Sequence, residues 1–71
     1  MISEASYNYL LDNRAKLYKN YKDCYVVIKD GRFAAAYISE DAVEANAPKY
    51  GPDILIVYIA DEGIKEYALK G

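Results

Sequence analysis

The chain has 71 residues, of which 54% are hydrophobic and 28% charged, and its formal net charge is -2. This balance is typical of a folded globular protein, not of a disordered one, and the slight negative charge gives no case for a nucleic-acid partner. One cysteine and no histidine exclude a disulfide framework and the usual zinc ligand sets within one chain. The length predicts a single domain, 1–71, whose core is small enough to benefit from association with another chain.

The N-terminal residues and the apolar runs of the chain predict no targeting segment. Met1-Ile2-Ser3-Glu4 lacks the charged and then apolar pattern of a signal segment, and no apolar run approaches the ~18 residues of a membrane helix. We therefore expect neither export nor membrane insertion, and a cytoplasmic location.

The first predicted element is a helix from Ser3 to about Asn20. Ser3 is a favourable N-cap, and cations from Arg14 onward suit the negative C-terminal end. Cations interleaved with aromatics could also hold a nucleic-acid strand, but the helix dipole already explains them, so no nucleic-acid partner is predicted. The helical spacing is carried by apolar positions that are interrupted only at Arg14: Tyr7, Leu10, Leu11, Leu17, Tyr18 and Tyr21.

A β-hairpin follows, with strands at 24–29 and 32–38. They flank Asp30-Gly31, a dipeptide that suits a type I′ turn because both central residues need positive φ. Three alanines in the second strand leave room for a helix lying close to the sheet or for bulky side chains from the first helix. Counting outward from the turn pairs Lys29 with Arg32, Ile28 with Phe33, Val27 with Ala34, Val26 with Ala35 and Tyr25 with Ala36.

The second half of the chain predicts a short helix and one or two strands. Ser39 can cap a helix that Pro48 ends near Asn46. The following strand, 54–60, is apolar on both of its faces. Residues 61–63 then form either a three-residue hairpin loop with Gly63 in a left-handed conformation, leading to a short fourth strand, or the start of a last helical turn. We favour the hairpin.

This order predicts an α+β domain of two layers, α-β-β-α-β with a possible final strand. Its sheet is antiparallel or mixed, has three to four strands, and carries the helices packed on it. Helices on one side only would leave a sheet face open, which a homodimer or larger oligomer could cover; association along an exposed strand edge is the other route. The rival arrangement places the helices on opposite faces and makes the monomer self-sufficient.

The residues give no catalytic, cofactor or metal site. Cys24 has no histidine to act as its base, and the four glycines form no phosphate-binding loop. We therefore predict a non-enzymatic protein–protein interaction domain that self-associates or binds another protein. The alternative is a small-ligand-binding or accessory subunit of a larger enzyme or regulatory complex. The interface candidates are the doubly apolar strand and three tyrosines of nine, namely Tyr9, Ile54, Leu55, Ile56, Val57, Tyr58 and Tyr67.

Four features follow one another between residues 10 and about 59. They are a helix, the segment Lys19–Arg32 with its Tyr-Val-Val-Ile-Lys-Asp-Gly run, an alanine-bearing helix ending in Lys49-Tyr50-Gly51, and an apolar strand. This order resembles a group of short uncharacterised prokaryotic domains. The chain departs from them at Pro48, where such domains usually continue the helix, and at Cys24, where glycine is commoner. The group has no known activity, so the resemblance implies a fold and no function.

Overall fold

The computed structural model describes residues 2–70; Met1 and Gly71, which the predicted domain also spans, lie outside the described residues. Two helices, a hairpin, a third helix and a second hairpin follow one another, which is the predicted order except that two helices stand in place of the first one. The elements are α1 Glu4–Asp12, α2 Arg14–Asn20, β1 Tyr25–Lys29, β2 Arg32–Tyr37, α3 Glu40–Asn46, a 3₁₀ turn at Ala47–Tyr50, β3 Ile54–Ala60 and β4 Gly63–Tyr67.

The predicted first helix is divided in two at Asn13. The N-cap at its start is confirmed, because the Ser3 hydroxyl accepts a hydrogen bond from the Ser6 amide at 3.3 Å. Asn13 has φ -111° and ψ 13°, and both its side-chain Nδ2 and its own backbone amide donate to the Tyr9 carbonyl, at 2.9 and 3.0 Å. An asparagine that bonds nearby backbone in this way competes with regular helix, which is why an unbroken helix was wrong here.

The first hairpin has the predicted turn and a different register. Asp30 and Gly31 have φ of 53° and 77°, as a type I′ turn requires. Lys29 opposes Arg32 and Ile28 opposes Phe33, but Ala35, not Ala34, opposes Val27, and Ala36 and Tyr37 then oppose Val26 and Tyr25. Ala34 is therefore the extra residue of a β-bulge, and the register predicted beyond Ile28 was wrong by one residue.

The second half follows the sequence closely. The Ser39 hydroxyl accepts from the Ala42 amide at 3.1 Å, and α3 ends at Asn46 before a 3₁₀ turn that contains Pro48. The predicted fourth strand is present as β4. Ala60 opposes Gly63, so the loop before β4 has two residues and Gly63 belongs to the strand, which corrects the predicted three-residue loop.

The sheet is antiparallel throughout, in the order β2-β1-β3-β4. The α+β class and the four-stranded sheet with packed helices are confirmed. Because β1 is antiparallel to both of its neighbours, β2 and β3 run parallel, and α3 with the 3₁₀ turn crosses over β1 to connect them. This crossover leaves β2 at one edge of the sheet.

The helices lie on opposite faces, which was the rival arrangement. One core cluster joins Leu17 of α2 to the sheet, and the other joins Val43 of α3 and Ala47 to the reverse face. Since alternate residues of a strand point to opposite faces, β3 contributes to both. The sheet is thus the middle of three layers, where two layers were predicted. The sheet contributes Val26, Ile28, Leu55, Val57 and Ile59 to the cluster on the α2 face and Val27, Ile54 and Ile56 to the cluster on the α3 face.

Candidate interaction surface

The free edge of β2 presents unused backbone hydrogen-bonding groups. Residues that oppose each other in an antiparallel pair alternate between bonded and non-bonded positions, and Lys29 and Arg32 form the bonded pair that closes a two-residue turn. Continuing across the bulge, Phe33 and Ala36 occupy the non-bonded positions, opposite Ile28 and Val26. Their backbone amides and carbonyls therefore point away from the sheet.

The side chains of β2 do little to protect this edge. Arg32 is its only charged residue and it contains no proline. Ile38, which follows the strand directly, is 85% exposed, and Phe33 is 36% exposed. Native proteins usually guard free edges with charge, proline, cover or a bulge, and β2 carries only the first and the last of these, at Arg32 and Ala34. We call β2 together with Ile38 the open edge.

The opposite edge of the sheet is guarded. β4 places Lys65 and Glu66 at its centre, both exposed. Lys65 forms an ion pair with Glu62 at 2.7 Å, and Glu66 accepts a hydrogen bond from the Tyr7 hydroxyl at 3.2 Å. The two edges of this sheet therefore differ in charge: the middle of β4 is charged, whereas β2 is uncharged after Arg32. Of the two edge strands, β2 is the one suited to pairing with another strand.

Four of the predicted interface candidates lie inside the monomer. Ile54, Leu55, Ile56 and Val57 are between 0 and 7% exposed, because α2 covers one face of β3 and α3 the other. The interpretation of this strand as a surface for a partner was wrong: its two apolar faces meet two helices of the same chain.

The three tyrosine candidates are half-buried, and two of them meet at one place. Tyr9 packs against the α2-face cluster. On the α3 face, the ring centroids of Tyr58 and Tyr67 lie 4.8 and 5.2 Å from that of Tyr25. Burial is the main cause that raises the pKa of the Tyr58 hydroxyl above its ordinary value, with nearby carboxylates adding to it. All three tyrosine rings therefore pack against other residues of their own chain.

Tyr67 also takes part in a polar cluster that ties the C-terminal segment to α3. Its hydroxyl donates to Glu44 and, at 3.3 Å, to Glu40. The Lys70 backbone amide donates to Glu44 at 3.0 Å, and the Lys70 ammonium pairs with Glu40 at 2.9 Å. We call these four residues the C-terminal clamp.

The clamp shifts the pKa values of its members. The hydrogen bond from Lys70 lowers the pKa of the Glu40 carboxyl, and Glu40 in turn raises the pKa of the Lys70 ammonium. Donation to Glu44, together with burial, raises the pKa of the Tyr67 hydroxyl. A carboxyl whose pKa is lowered in the folded state contributes stability at pH values above its unfolded pKa, and this contribution is lost as the pH falls. A tyrosine or lysine whose pKa is raised contributes stability below its unfolded pKa, and that contribution is lost as the pH rises.

We therefore expect the clamp to hold between about pH 4 and pH 10, the unfolded values of carboxyl and phenol. Acidification from pH 6 to 3 should protonate the Glu40 carboxyl at a pH below its unfolded value, because the ion pair with Lys70 favours the charged form and lowers its pKa. Lys70→Ala should move the midpoint of the Glu40 side-chain carboxyl NMR signal to higher pH, and Lys16→Ala, outside the clamp, should not. The same Glu40 midpoint in the wild type and in Lys70→Ala would contradict the clamp.

The lone cysteine and the acidic side chains of the described residues were the other candidates for a chemical centre. Cys24 is half-buried, and its thiol lies 3.6 Å from the Lys22 carbonyl. Between residues 2 and 70, no three histidine, cysteine or acidic side chains come together in a way that could hold a metal ion. Over the same range, no helix is both long and apolar enough to cross a membrane.

Sequence reasoning named an exposed strand edge as one route of association but did not identify β2 as that edge. Three successive alanines looked like room for a covering helix, and that expectation is partly right, because Ala34 and Ala35 pack against the α3-face cluster. The available signal was the contrast in charge: Arg32–Ile38 carries charge at its first position only, whereas β4 carries Lys65 and Glu66 in its middle.

Comparison with known proteins finds no matching family model, no matching curated protein and no matching solved structure. The resemblance to short prokaryotic domains therefore stays a prediction.

Proposed function

We propose that this chain is a small, non-enzymatic protein–protein interaction domain that self-associates through the open edge of β2. The observation that carries the proposal is the asymmetry of the sheet. One edge is charged and engaged with its own chain, whereas the other is uncharged after Arg32 and ends in the exposed Ile38.

Strand addition is the interaction that such an edge supports. An extended segment that pairs with β2 would satisfy the outward amides and carbonyls of Phe33 and Ala36, and backbone bonds of this kind supply affinity while side chains supply selectivity. Ile38 would lose its exposure to water in the same step. A partner that binds the folded state and not the unfolded state also stabilises the fold, which matters for a domain with so small a core.

The alternative, a small-ligand-binding or accessory subunit, has one feature in its favour. A cleft of about 240 Å³ lies between the start of β3 and the C-terminal segment, with Ile54, Ile56, Tyr67 and Leu69 in its walls. Pockets for small ligands usually measure about 300 to 1,000 Å³ and bring several polar groups together. The cleft is smaller and mostly apolar, so the open edge is the better-supported site.

Sedimentation velocity across the micromolar range tests the proposal. We expect the mass to rise with concentration from 8.0 kDa to about twice that value. Ala36→Pro should hold the protein at 8.0 kDa with its fold intact, because proline removes an amide that points away from β1 and is tolerated on an edge strand.

Glu66→Pro is the matched control, since Glu66 occupies the equivalent outward-facing position on β4, opposite Val57. It should leave self-association unchanged. A wild-type mass that stays at 8.0 kDa at every concentration, or equal association by Ala36→Pro, would refute the open edge as the interaction surface.

A further inference from the structure

We infer that the partner on the open edge is a second copy of the same strand, paired antiparallel about a two-fold axis that passes between Ala34 and Ala35. The two sheets would then join into one of eight strands. This inference rests on the proposed function and adds the identity and register of the partner.

The backbone selects the register. In a two-fold pairing of β2 with itself, the outward groups of Phe33 and Ala36 must find bonded partners. If Phe33 lies opposite Ala36 of the partner subunit, the two-fold axis also places Ala36 opposite Phe33 of the partner subunit. The outward amides and carbonyls of both residues are then hydrogen-bonded. Placing either residue opposite its own copy would leave the other without a partner inside the strand.

The bulge makes this register compatible with the faces of the sheet. Residues three apart in a regular strand point to opposite faces. Here the extra residue Ala34 returns Phe33 and Ala36 to the same face. Phe33 opposes Ile28 and its ring lies 5.0 Å from that of Tyr21, while Ala36 opposes Val26 and packs on the same α2-face cluster. A large side chain would thus lie beside a small one.

The other face is matched as well. Arg32 opposes Lys29 and Tyr37 opposes Tyr25, both on the α3 face. The same register brings Arg32 beside Tyr37 of the partner subunit, where a guanidinium can stack on an aromatic ring. It also carries the exposed Ile38 to the turn of the partner's hairpin.

A bulge on an edge strand ordinarily hinders further pairing. In a two-fold pair, however, both strands bring the same extra residue to the axis. Each strand then has two residues between Phe33 and Ala36, so both contacts between Phe33 of one copy and Ala36 of the other can form in the same register. A different protein supplying a regular strand would lack this match, which favours a second copy as the occupant.

Disulfide trapping tests the register. In a Cys24→Ser background, Arg32→Cys and Tyr37→Cys are prepared as separate proteins, mixed and oxidised. The inferred register makes these positions a non-bonded pair, with Cα atoms about 4.5 Å apart, within the range that a disulfide spans. We expect the mixture to yield several-fold more cross-linked dimer than either variant alone.

A second pair, Phe33→Cys with Ala36→Cys, probes the same register at its bonded positions, in case a tested side chain is itself needed for association. Cross-linking of Arg32→Cys chiefly with itself would indicate parallel pairing or an antiparallel pair centred on Arg32, and either would overturn the inference. Self-association by sedimentation without preferential cross-linking of either mixture would overturn the register and leave the proposed function standing. A protein that neither associates nor cross-links would overturn both.

Discussion

Replacing Leu55 by lysine is expected to unfold most of the protein at room temperature. Leu55 is fully buried on the α2 face, opposite Ile28 and packed among apolar residues. The change forfeits about 2 to 3 kcal/mol of apolar burial and adds several kcal/mol for an ammonium without a partner. A chain of 71 residues has about 4 to 11 kcal/mol of total stability, so the two losses together consume most of it.

Ile38→Lys is the matched control, with the same charge placed on the open edge. Because Ile38 is 85% exposed, its replacement should alter the free energy of unfolding by less than about 0.5 kcal/mol while weakening self-association. Thermal unfolding followed by circular dichroism separates the two variants. A Leu55→Lys protein that melts cooperatively near the wild-type midpoint would mean that β3 is a surface strand after all.

The second large effect is expected at Gly31, where a turn of the sheet touches the first helix. A Cβ atom added to Gly31 would lie 2.9 Å from the Ala5 Cβ, and Gly31 has a φ of 77° that favours glycine. Its amide also donates to the buried Ser6 hydroxyl at 3.1 Å. We expect Gly31→Ala to cost about 2 to 4 kcal/mol, from the left-handed backbone and from overpacking together.

Two further variants separate those causes in urea unfolding. Gly51 has a φ of 94°, but a Cβ there would meet only the end of the Lys29 side chain, at 3.9 Å. Because Gly51 also has a ψ of 179°, a backbone region almost confined to glycine, Gly51→Ala should show a backbone cost of about 1 to 3 kcal/mol without a clash. Ala5→Gly should recover part of the stability lost in Gly31→Ala by removing the atom that the new Cβ meets. A cost of Gly31→Ala that is unchanged in the Ala5→Gly background would show that α1 does not press on the turn.

The hairpin turn and the ends of α3 could be predicted because single residues determine them. Asp30-Gly31 suits positive φ at two successive positions, Ser39 offers a cap, and Pro48 forbids regular helix beyond it. Each of these acts within a few residues of chain, so no knowledge of packing is needed. The type I′ turn and the bounds of α3 were confirmed for this reason.

The bulge and the helix break lacked such signals. Ala34, Ala35 and Ala36 have identical side chains, so the sequence offers nothing to choose between neighbouring registers, and packing against α3 decides. At Asn13 the apolar spacing continues into α2, which hides the competition between the side chain and the backbone at the Tyr9 carbonyl.

The two apolar faces of β3 were recognised from the sequence, but they were predicted to meet a partner chain, whereas helices of the same chain cover them. A strand buried on both faces by helices reads as a continuous apolar run, and a partner surface would read the same way. Only the placement of α2 and α3 on opposite faces distinguishes the two. An exposed strand edge was proposed without being assigned to β2, because the position of β2 at the edge or the centre of the sheet depends on the crossover of α3, which no residue of β2 encodes.

Residue-resolved amide hydrogen exchange, measured by NMR on a dilute and a concentrated sample, tests the role of the open edge most directly. The Phe33 and Ala36 amides should exchange freely when the protein is dilute and become protected as concentration rises. The outward-facing amides of Ile64 and Glu66 on β4 should exchange at the same rate in both samples. Free exchange of Phe33 and Ala36 at both concentrations, or protection gained on β4 instead, would contradict pairing through β2.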